Sequence, residues 1–198
     1  MKIILLSISI FIIDQISKVC VRGFSFPLLN INFNGLYPGE SRVVIDNIFH
    51  ITLVENPGIA FGIDPGESLR DMILILTILT CIGFFFYLIF TRKADIKFRI
   101  AIACILGGAA GNLFDRVFYG IFYNYAPLFQ GNVVDFMDIR LIKFFLFDNI
   151  HGNYVFNFAD ISILFGVFLL IYLIVSSKKQ KNISELVPQV VENKEDSV

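Results

Sequence analysis

The sequence contains no tryptophan, only three cysteines and few charged residues for its length. Asp, Glu, Lys and Arg make up 17% of the 198 residues, whereas a soluble domain carries about a quarter. Hydrophobic residues make up 56%, 23 residues are phenylalanine, and mean hydropathy is +0.74. A single soluble core cannot bury so much apolar surface, so an ordinary cytosolic enzyme, a disordered chain and a disulfide-stapled secreted domain are excluded. An integral membrane protein with about four spans is indicated.

The cysteines and histidines form no metal or redox motif. Cys20, Cys81 and Cys104 lie in separate apolar stretches without a Cys-x-x-Cys pair, which is typical of buried packing residues. His50 and His151 lie far apart, without metal-ligand spacing. The net charge of -1 provides no basic footprint for nucleic acid. We therefore expect no metal, no cofactor and no nucleic-acid partner.

Four apolar segments, each about twenty residues long, are predicted to be transmembrane helices. They run over about 2–21, 72–91, 98–117 and 157–177. The first is interrupted by Asp14 and Lys18 and lacks a small-residue cleavage site after its apolar run. It is therefore predicted to be an uncleaved span and not a signal peptide.

Lysine and arginine predict the orientation of these spans. They collect before the first span, in the turn between the second and third, and after the fourth. Both termini are therefore predicted to be cytoplasmic, and the two long connections, about 22–71 and 118–156, are predicted to face outward. Residues 1–177 form a single membrane domain, and 178–198 are predicted to be a disordered cytoplasmic tail.

Both outer connections contain features of local structure. Residues 43–45 and 48–54 are β-branched runs around Asp46-Asn47, which predicts a short hairpin. The run 144–147 is Phe-Phe-Leu-Phe beside Lys143 and is predicted to lie on the membrane surface.

Polar residues of the spans cluster at one depth, near the predicted outer surface. They are Asp14 and Lys18 in the first span, Asn112, Asp115 and Arg116 in the third, and Asn157 and Asp160 in the fourth. Spacings of three and four residues place each set on one helix face. The run 107–111 (GGAAG) favours close helix packing, which brings the third span against a neighbour. Ionisable groups in a membrane are costly, so these residues are functional candidates.

Asp135, surrounded by apolar residues in the second outer connection, is a further candidate acid. Paired with Asp160, it would form a carboxylate pair with split pKa values, able to activate water and donate a proton. The alternative interpretation is structural ion pairs, Asp14–Lys18 and Asp115–Arg116, with solvated loop acids. Adjacent helical residues point about 100° apart, which makes the second of these pairs geometrically poor.

Five blocks of the sequence, in this order, resemble the lipoprotein signal peptidase (signal peptidase II) family of bacterial membrane aspartic peptidases. They are DQISK at 14–18, NPGIAFG at 56–62, GNLFDR at 111–116, VVDF at 133–136 and FNFAD at 156–160. The resemblance covers most of the chain. It implies a monomeric, multi-pass enzyme of the bacterial cytoplasmic membrane, with its active site at the outer face.

The resemblance also implies the reaction and the residues that perform it. The enzyme would cut the signal peptide from a prolipoprotein just before a Cys that bears diacylglycerol, among membrane lipids, with Asp135 and Asp160 as the catalytic pair. The residues implied to support the site or contact substrate are Asp14, Lys18, Asn56, Gly58, Asn112, Arg116 and Asn157. Asp138 is left as a supporting or solvated group.

The predicted fold class is an all-α membrane protein of four transmembrane helices, with an outer loop or interfacial helix. The resemblance adds a small extracytoplasmic β-rich cradle in the segment of about 25–65. Three stretches are longer than the family pattern: the segment before Asn56, about 119–132 and about 139–153. They are predicted to be outer loop insertions that affect the lid and substrate selectivity, and not the acid pair.

Two other classes of function use the same polar residues. A proton-coupled carrier would need relay acids across the whole membrane, but the second span has no ionisable group except Cys81 and Tyr87. A non-catalytic scaffold would need only the ion pairs. Loss of precursor cleavage on removal of Asp135 or Asp160 separates the peptidase from both.

Overall fold

The structure is a computed structural model that describes residues 2–26, 30–58, 66–140 and 155–195. Its helices are α1 (Lys2–Arg22), α2 (Glu67–Phe90), α3 (Ile96–Phe114), α4 (Gly120–Phe122) and α5 (Phe158–Glu195), with a π-helical turn at Asp115–Tyr119 between α3 and α4. Its strands are β1 (Gly23–Phe26), β2 (Ile31–Asn34), β3 (Ser41–Ile45), β4 (Phe49–Asn56), β5 (Val133–Ile139) and β6 (Val155–Phe156).

Within the described residues, four helical segments are long and apolar enough to cross a membrane, which agrees with the four predicted spans. They are Lys2–Arg22, Ser68–Phe90, Ile96–Phe122 and Phe158–Lys178. The last helix continues to Glu195, through the segment for which the sequence predicts disorder. Lys, Gln and Glu are common in this segment and favour helix, which agrees with the helical backbone there.

The third span is the centre of the bundle. Its apolar window is 72% buried, against 11–17% for the other three, and α3 contacts α1, α2 and α5. Added Cβ atoms on Gly107 and Gly108 would lie 2.8 Å from Ser7 O and 2.4 Å from Ala159 O. The small-residue run therefore lets two helix backbones approach α3 closely, as its composition predicts.

A four-stranded antiparallel sheet, in the order β3-β4-β5-β6, covers one end of the bundle, and β1 and β2 form a separate two-stranded sheet. The predicted hairpin is confirmed, because β3 pairs with β4 with Val43 opposite His50. Sequence reasoning missed β5, which pairs Asp135 with Val54. All residues of β5 except Ile139 are buried, so the strand lacks the alternation that marks a half-exposed strand.

A hydrophobic cluster joins the sheet to the end of α3. Its buried members are Leu36, Leu53, Tyr119, Val134, Phe136 and Met137. The chain also folds back after α4, where Gly131 N donates to Arg116 O at 2.9 Å. These contacts hold β5, with Asp135, against the ends of the spans. The run predicted to lie on the membrane at 144–147, and most of the stretch 139–153, lie outside the described residues.

Candidate active site

Asp135 is held on β5 by two side-chain amides. Asn56 Nδ2 donates to its Oδ2 at 3.1 Å, and Asn157 Nδ2 donates to its Oδ1 at 2.7 Å. Asn56 reaches Asp135 because it ends β4, the strand that pairs with β5. Asp135 is only 3% exposed, so both carboxylate oxygens are bonded in a nearly dry setting.

Asp160 lies in the first turn of α5 and is held by a reciprocal cap. Asp160 N donates to Asn157 Oδ1 at 3.0 Å, and Asn157 N donates to Asp160 Oδ2 at 3.1 Å. This exchange satisfies backbone donors at the helix start, as a capping box does. Asn112 Nδ2 donates to the other oxygen of Asp160 at 2.8 Å. Asn157 therefore connects the two acids, through its side chain to Asp135 and through its backbone to Asp160.

Lys18 is fully buried behind this pair. Its Nζ lies 2.8 Å from Asp14 Oδ2, 2.7 Å from Asp115 Oδ2 and 2.9 Å from Asn112 Oδ1. Asp14 also accepts a hydrogen bond from Ala159 N at 3.0 Å, which ties α1 to the first turn of α5. Asp14 and Lys18 therefore connect to the acid pair through Asn112, through the α5 backbone and through Asp115, whose Oδ2 accepts a hydrogen bond from Val134 N at 3.2 Å.

The structure decides between the two ion pairs considered from the sequence. The Asp14–Lys18 pair forms, but Asp115 pairs with Lys18 and not with Arg116. Arg116 turns toward the acids: its Nη1 donates to Asn112 O and its Nη2 to Gly58 O, both at 3.3 Å. The π-helical turn that begins at Asp115 accompanies this divergence of two neighbouring side chains.

Both acids line one cavity of about 500 Å³. Its polar wall consists of Asn56, Gly58, Asn112, Arg116, Asp135 and Asp160, and its apolar wall of Val133, Val155, Phe156, Ile163 and Leu164. Leu164 is 56% exposed on the outside of α5. The cavity therefore joins a carboxylate pair to an apolar helix surface.

Burial, and after it the repulsion of the nearby Asp160 carboxylate, raise the pKa of Asp135 to about 7. The hydrogen bonds from Asn56 and Asn157 favour the charged form and oppose this shift. Asp135 therefore holds a proton near neutral pH, which permits general acid chemistry at this position.

The sequence profile of the family described as Signal peptidase (SPase) II matches residues 6–176. The chain belongs to the signal peptidase II family. A "Lipoprotein signal peptidase" of Clostridioides difficile (strain 630) is 35% identical over 182 residues, which are 91% of this chain and 100% of that protein. One of Desulfitobacterium hafniense (strain DSM 10664 / DCB-2) is 35% identical over 87% of this chain and 92% of its own length.

Solved structures agree with this membership. A bacterial membrane enzyme structure determined by the in meso method at 2.3 Å is similar with a TM-score of 0.65 and 28% identity, over 91% of both chains. A second, determined at 1.9 Å, has a TM-score of 0.63 and 28% identity over 87% of this chain and 92% of its own. The chain is thus a peptidase of the signal peptidase II family and a multi-pass bacterial membrane protein.

Two residues behind the site of this signal peptidase II chain were not singled out from the sequence. Tyr119 OH donates to Gln15 Oε1 at 3.0 Å, and Gln15 Nε2 donates to Asp115 Oδ1 at 2.8 Å. Gln15 directly follows Asp14 in the DQISK block, and this position beside a candidate acid was the signal that could have identified it. Nothing in the sequence marks Tyr119. Asp138 lies apart from the acid pair, where it accepts hydrogen bonds from Thr52 and Arg140.

Proposed function

We propose that this chain is an aspartic endopeptidase that removes the signal peptide from diacylglyceryl-modified prolipoproteins, cutting just before the lipidated Cys. The observation that carries the proposal is the linkage of Asp135 and Asp160 by Asn157 at the wall of one cavity. Two carboxylates with unequal environments are the minimum for hydrolysis by an acid and a base. The relatives named as lipoprotein signal peptidases support the choice of substrate.

In the proposed mechanism, a water molecule lies between the two acids and the scissile carbonyl. Asp160, the less buried acid, removes a proton from the water as its oxygen attacks the carbonyl carbon. Asp135 gives its proton to the carbonyl oxygen, which produces a neutral tetrahedral diol. As the diol collapses, one hydroxyl proton returns to Asp135, the proton held by Asp160 passes to the leaving nitrogen, and the C–N bond breaks. The products are the carboxylic acid and the amine, and both acids regain their starting protonation.

The surrounding residues position these groups. Asn56, Asn112 and Asn157 donate to the carboxylates and so fix the direction of their free lone pairs. Lys18 and Asp14 support Asn112 and the start of α5 from behind. Arg116 and Gly58 line the cavity together, and the Arg116 guanidinium is placed to bind substrate carbonyl or ester oxygens.

The apolar wall suits a lipid-bearing substrate. Ile163 and Leu164 extend the cavity onto the exposed apolar surface of α5, where a signal helix and acyl chains can lie in the bilayer. The basic residues in the turn between α2 and α3 favour a cytoplasmic position for that turn, which supports an acid pair at the outer face. One chain supplies all the proposed site residues, which supports a monomeric enzyme.

The test is cleavage of a lipidated precursor by the purified enzyme, with an unlipidated precursor alongside. Asp135→Asn and Asp160→Asn should each lower the rate by at least about a thousandfold, since each removes a proton-transfer group. Asp138→Asn is the matched control, because it alters an acid of the same strand outside the cavity, and it should retain activity. Full activity of either site variant would contradict the assignment.

Three further readouts separate the alternatives. Cleavage should be unaffected by EDTA, whereas loss that added metal restores would indicate a metallopeptidase. Proton or solute flux through vesicles that depends on Asp160 would indicate a carrier. Processing by both Asp→Asn variants in a strain without another such peptidase would indicate a scaffold.

A further inference from the structure

The two-stranded sheet of β1 and β2 follows the first span without an intervening loop. Helix α1 ends at Arg22, β1 begins at Gly23, and Leu36 N donates to Val21 O at 2.8 Å just after β2. The base of the hairpin is tight: a Cβ on Gly23, where φ is +80°, would lie 2.3 Å from Gly35 N. Both strands are therefore fixed to the end of the membrane-spanning helix.

A second contact holds the hairpin from the side. Tyr123 OH donates to Gly23 O at 2.9 Å, and its ring lies 3.7 Å from the Arg22 guanidinium carbon. Arg22 also forms an ion pair with Glu55 at 2.8 Å. The hairpin thus leaves the bundle in a defined direction, set by α1, β4 and the segment after α4.

One face of this hairpin is apolar and exposed. The register places Phe24 opposite Phe33, with ring centroids 6.1 Å apart in a stacked arrangement. Phe24, Ile31 and Phe33 are 39%, 46% and 47% exposed. Ser25 and Asn32 pair with each other at the alternate positions, which face the opposite side of a strand pair. The hairpin is therefore amphipathic.

We propose that the apolar face of the hairpin, Phe24, Ile31 and Phe33, lies in the boundary between lipid headgroups and acyl chains. The hairpin continues directly from α1, whose side chains Ile12, Ile13 and Ile16 are exposed on its membrane-spanning surface. Ile16 lies less than two helical turns before the hairpin begins at Gly23. Amphipathic elements lie in this boundary with Phe and aliphatic side chains toward lipid and with their polar face toward water. An isolated two-stranded sheet is marginal in water, and lipid would cover the apolar side chains that the described residues leave exposed.

The absence of tryptophan from the sequence permits a direct test. Phe33→Trp introduces a single tryptophan on the apolar face, and Asn32→Trp, one residue away, places it on the polar face. The full-length variants are reconstituted into phosphatidylcholine–phosphatidylglycerol vesicles with or without acyl chains brominated near the headgroup. We expect the brominated lipid to quench the emission of Phe33→Trp at least twofold and that of Asn32→Trp much less. Aqueous iodide should quench Asn32→Trp more strongly than Phe33→Trp.

Three results would overturn the proposal. Equal quenching of both variants by iodide, without a lipid effect, would place the apolar face in water. Protection of the Phe33→Trp emission from both quenchers would mean that protein covers this side chain. If quenching then returned when the protein was diluted with more lipid, the covering protein would be a second copy of the chain. Strong lipid quenching of both variants would show that the hairpin has no preferred face. Phe24→Trp and Ser25→Trp repeat the comparison on β1 if a β2 variant fails to fold. The result does not depend on the proposed peptidase mechanism.

Discussion

The buried ammonium of Lys18 donates a hydrogen bond of 2.9 Å to Oδ1 of Asn112. An ammonium can only donate, and Asn157 Nδ2 donates to the same oxygen at 3.1 Å, so the amide nitrogen of Asn112 points the other way and donates to Asp160 at 2.8 Å. A cation outside the cavity thus helps to orient the amide that holds a candidate catalytic acid.

Lys18→Met should destabilise the fold strongly, since it leaves the buried carboxylates of Asp14 and Asp115 without their cation. Breaking a buried ion pair from one side costs about 3–5 kcal/mol of unfolding free energy. Adding Asp115→Asn to Lys18→Met removes one uncompensated charge and should recover part of the loss. Thermal unfolding in detergent measures both, with the exposed Lys93→Met as control. A double variant less stable than the single one would argue against this charge cluster.

The pH dependence of cleavage follows from the pKa of Asp135, raised by burial to about 7. Asp135 must carry a proton to act as an acid, so kcat/KM should fall as pH rises through about 7, approaching tenfold per pH unit. Asn56→Ala removes a donor to the charged carboxylate and should move this alkaline limb to higher pH. Asp138→Asn should leave its midpoint in place. A limb that moves to lower pH in Asn56→Ala would contradict the role given to Asp135.

Tyr119→Phe should weaken the support behind the site. The variant keeps the buried ring but leaves Gln15 Oε1 without its donor, at a cost of about 1–3 kcal/mol of unfolding free energy. Tyr125→Phe is the control, because Tyr125 is 38% exposed and water can replace its contact with Asn132 N. Equal stability of the two variants in chemical denaturation would show that the Tyr119 hydroxyl contributes little.

Gly111→Ala should disturb the packing of α3, since an added Cβ would lie 2.4 Å from Asp14 Oδ2. Overpacking of this kind typically costs about 1–3 kcal/mol, and here it also displaces the Asp14–Lys18 pair. The matched substitution is Gly83→Ala in α2, where nothing lies within 4 Å of the added Cβ. We expect it to leave the melting temperature unchanged or slightly raised. Equal melting temperatures for both variants would refute the close approach at Gly111.

Much of the fold was predictable because its signals are local. Span length and apolar content depend on consecutive residues, so the four spans were predicted within about five residues of their bounds, although the last helix continues well beyond its span. The β3–β4 hairpin was marked by β-branched runs around Asp46-Asn47. β5 carried no such signal, because burial on both faces removes the alternation of polar and apolar residues. Its pairing with β4 depends on residues about eighty positions away.

The sequence by itself determined that this is a four-span membrane protein with polar groups at one depth, and its motif blocks indicated a family and an acid pair. Only the tertiary structure decided which polar groups touch. It assigned Asp115 to Lys18, turned Arg116 toward the cavity, and brought Asn157 between Asp135 and Asp160. The physical reason is that spacing along a helix fixes the face on which a side chain lies. The partner it meets depends on how closely the glycines of α3 let neighbouring helices approach.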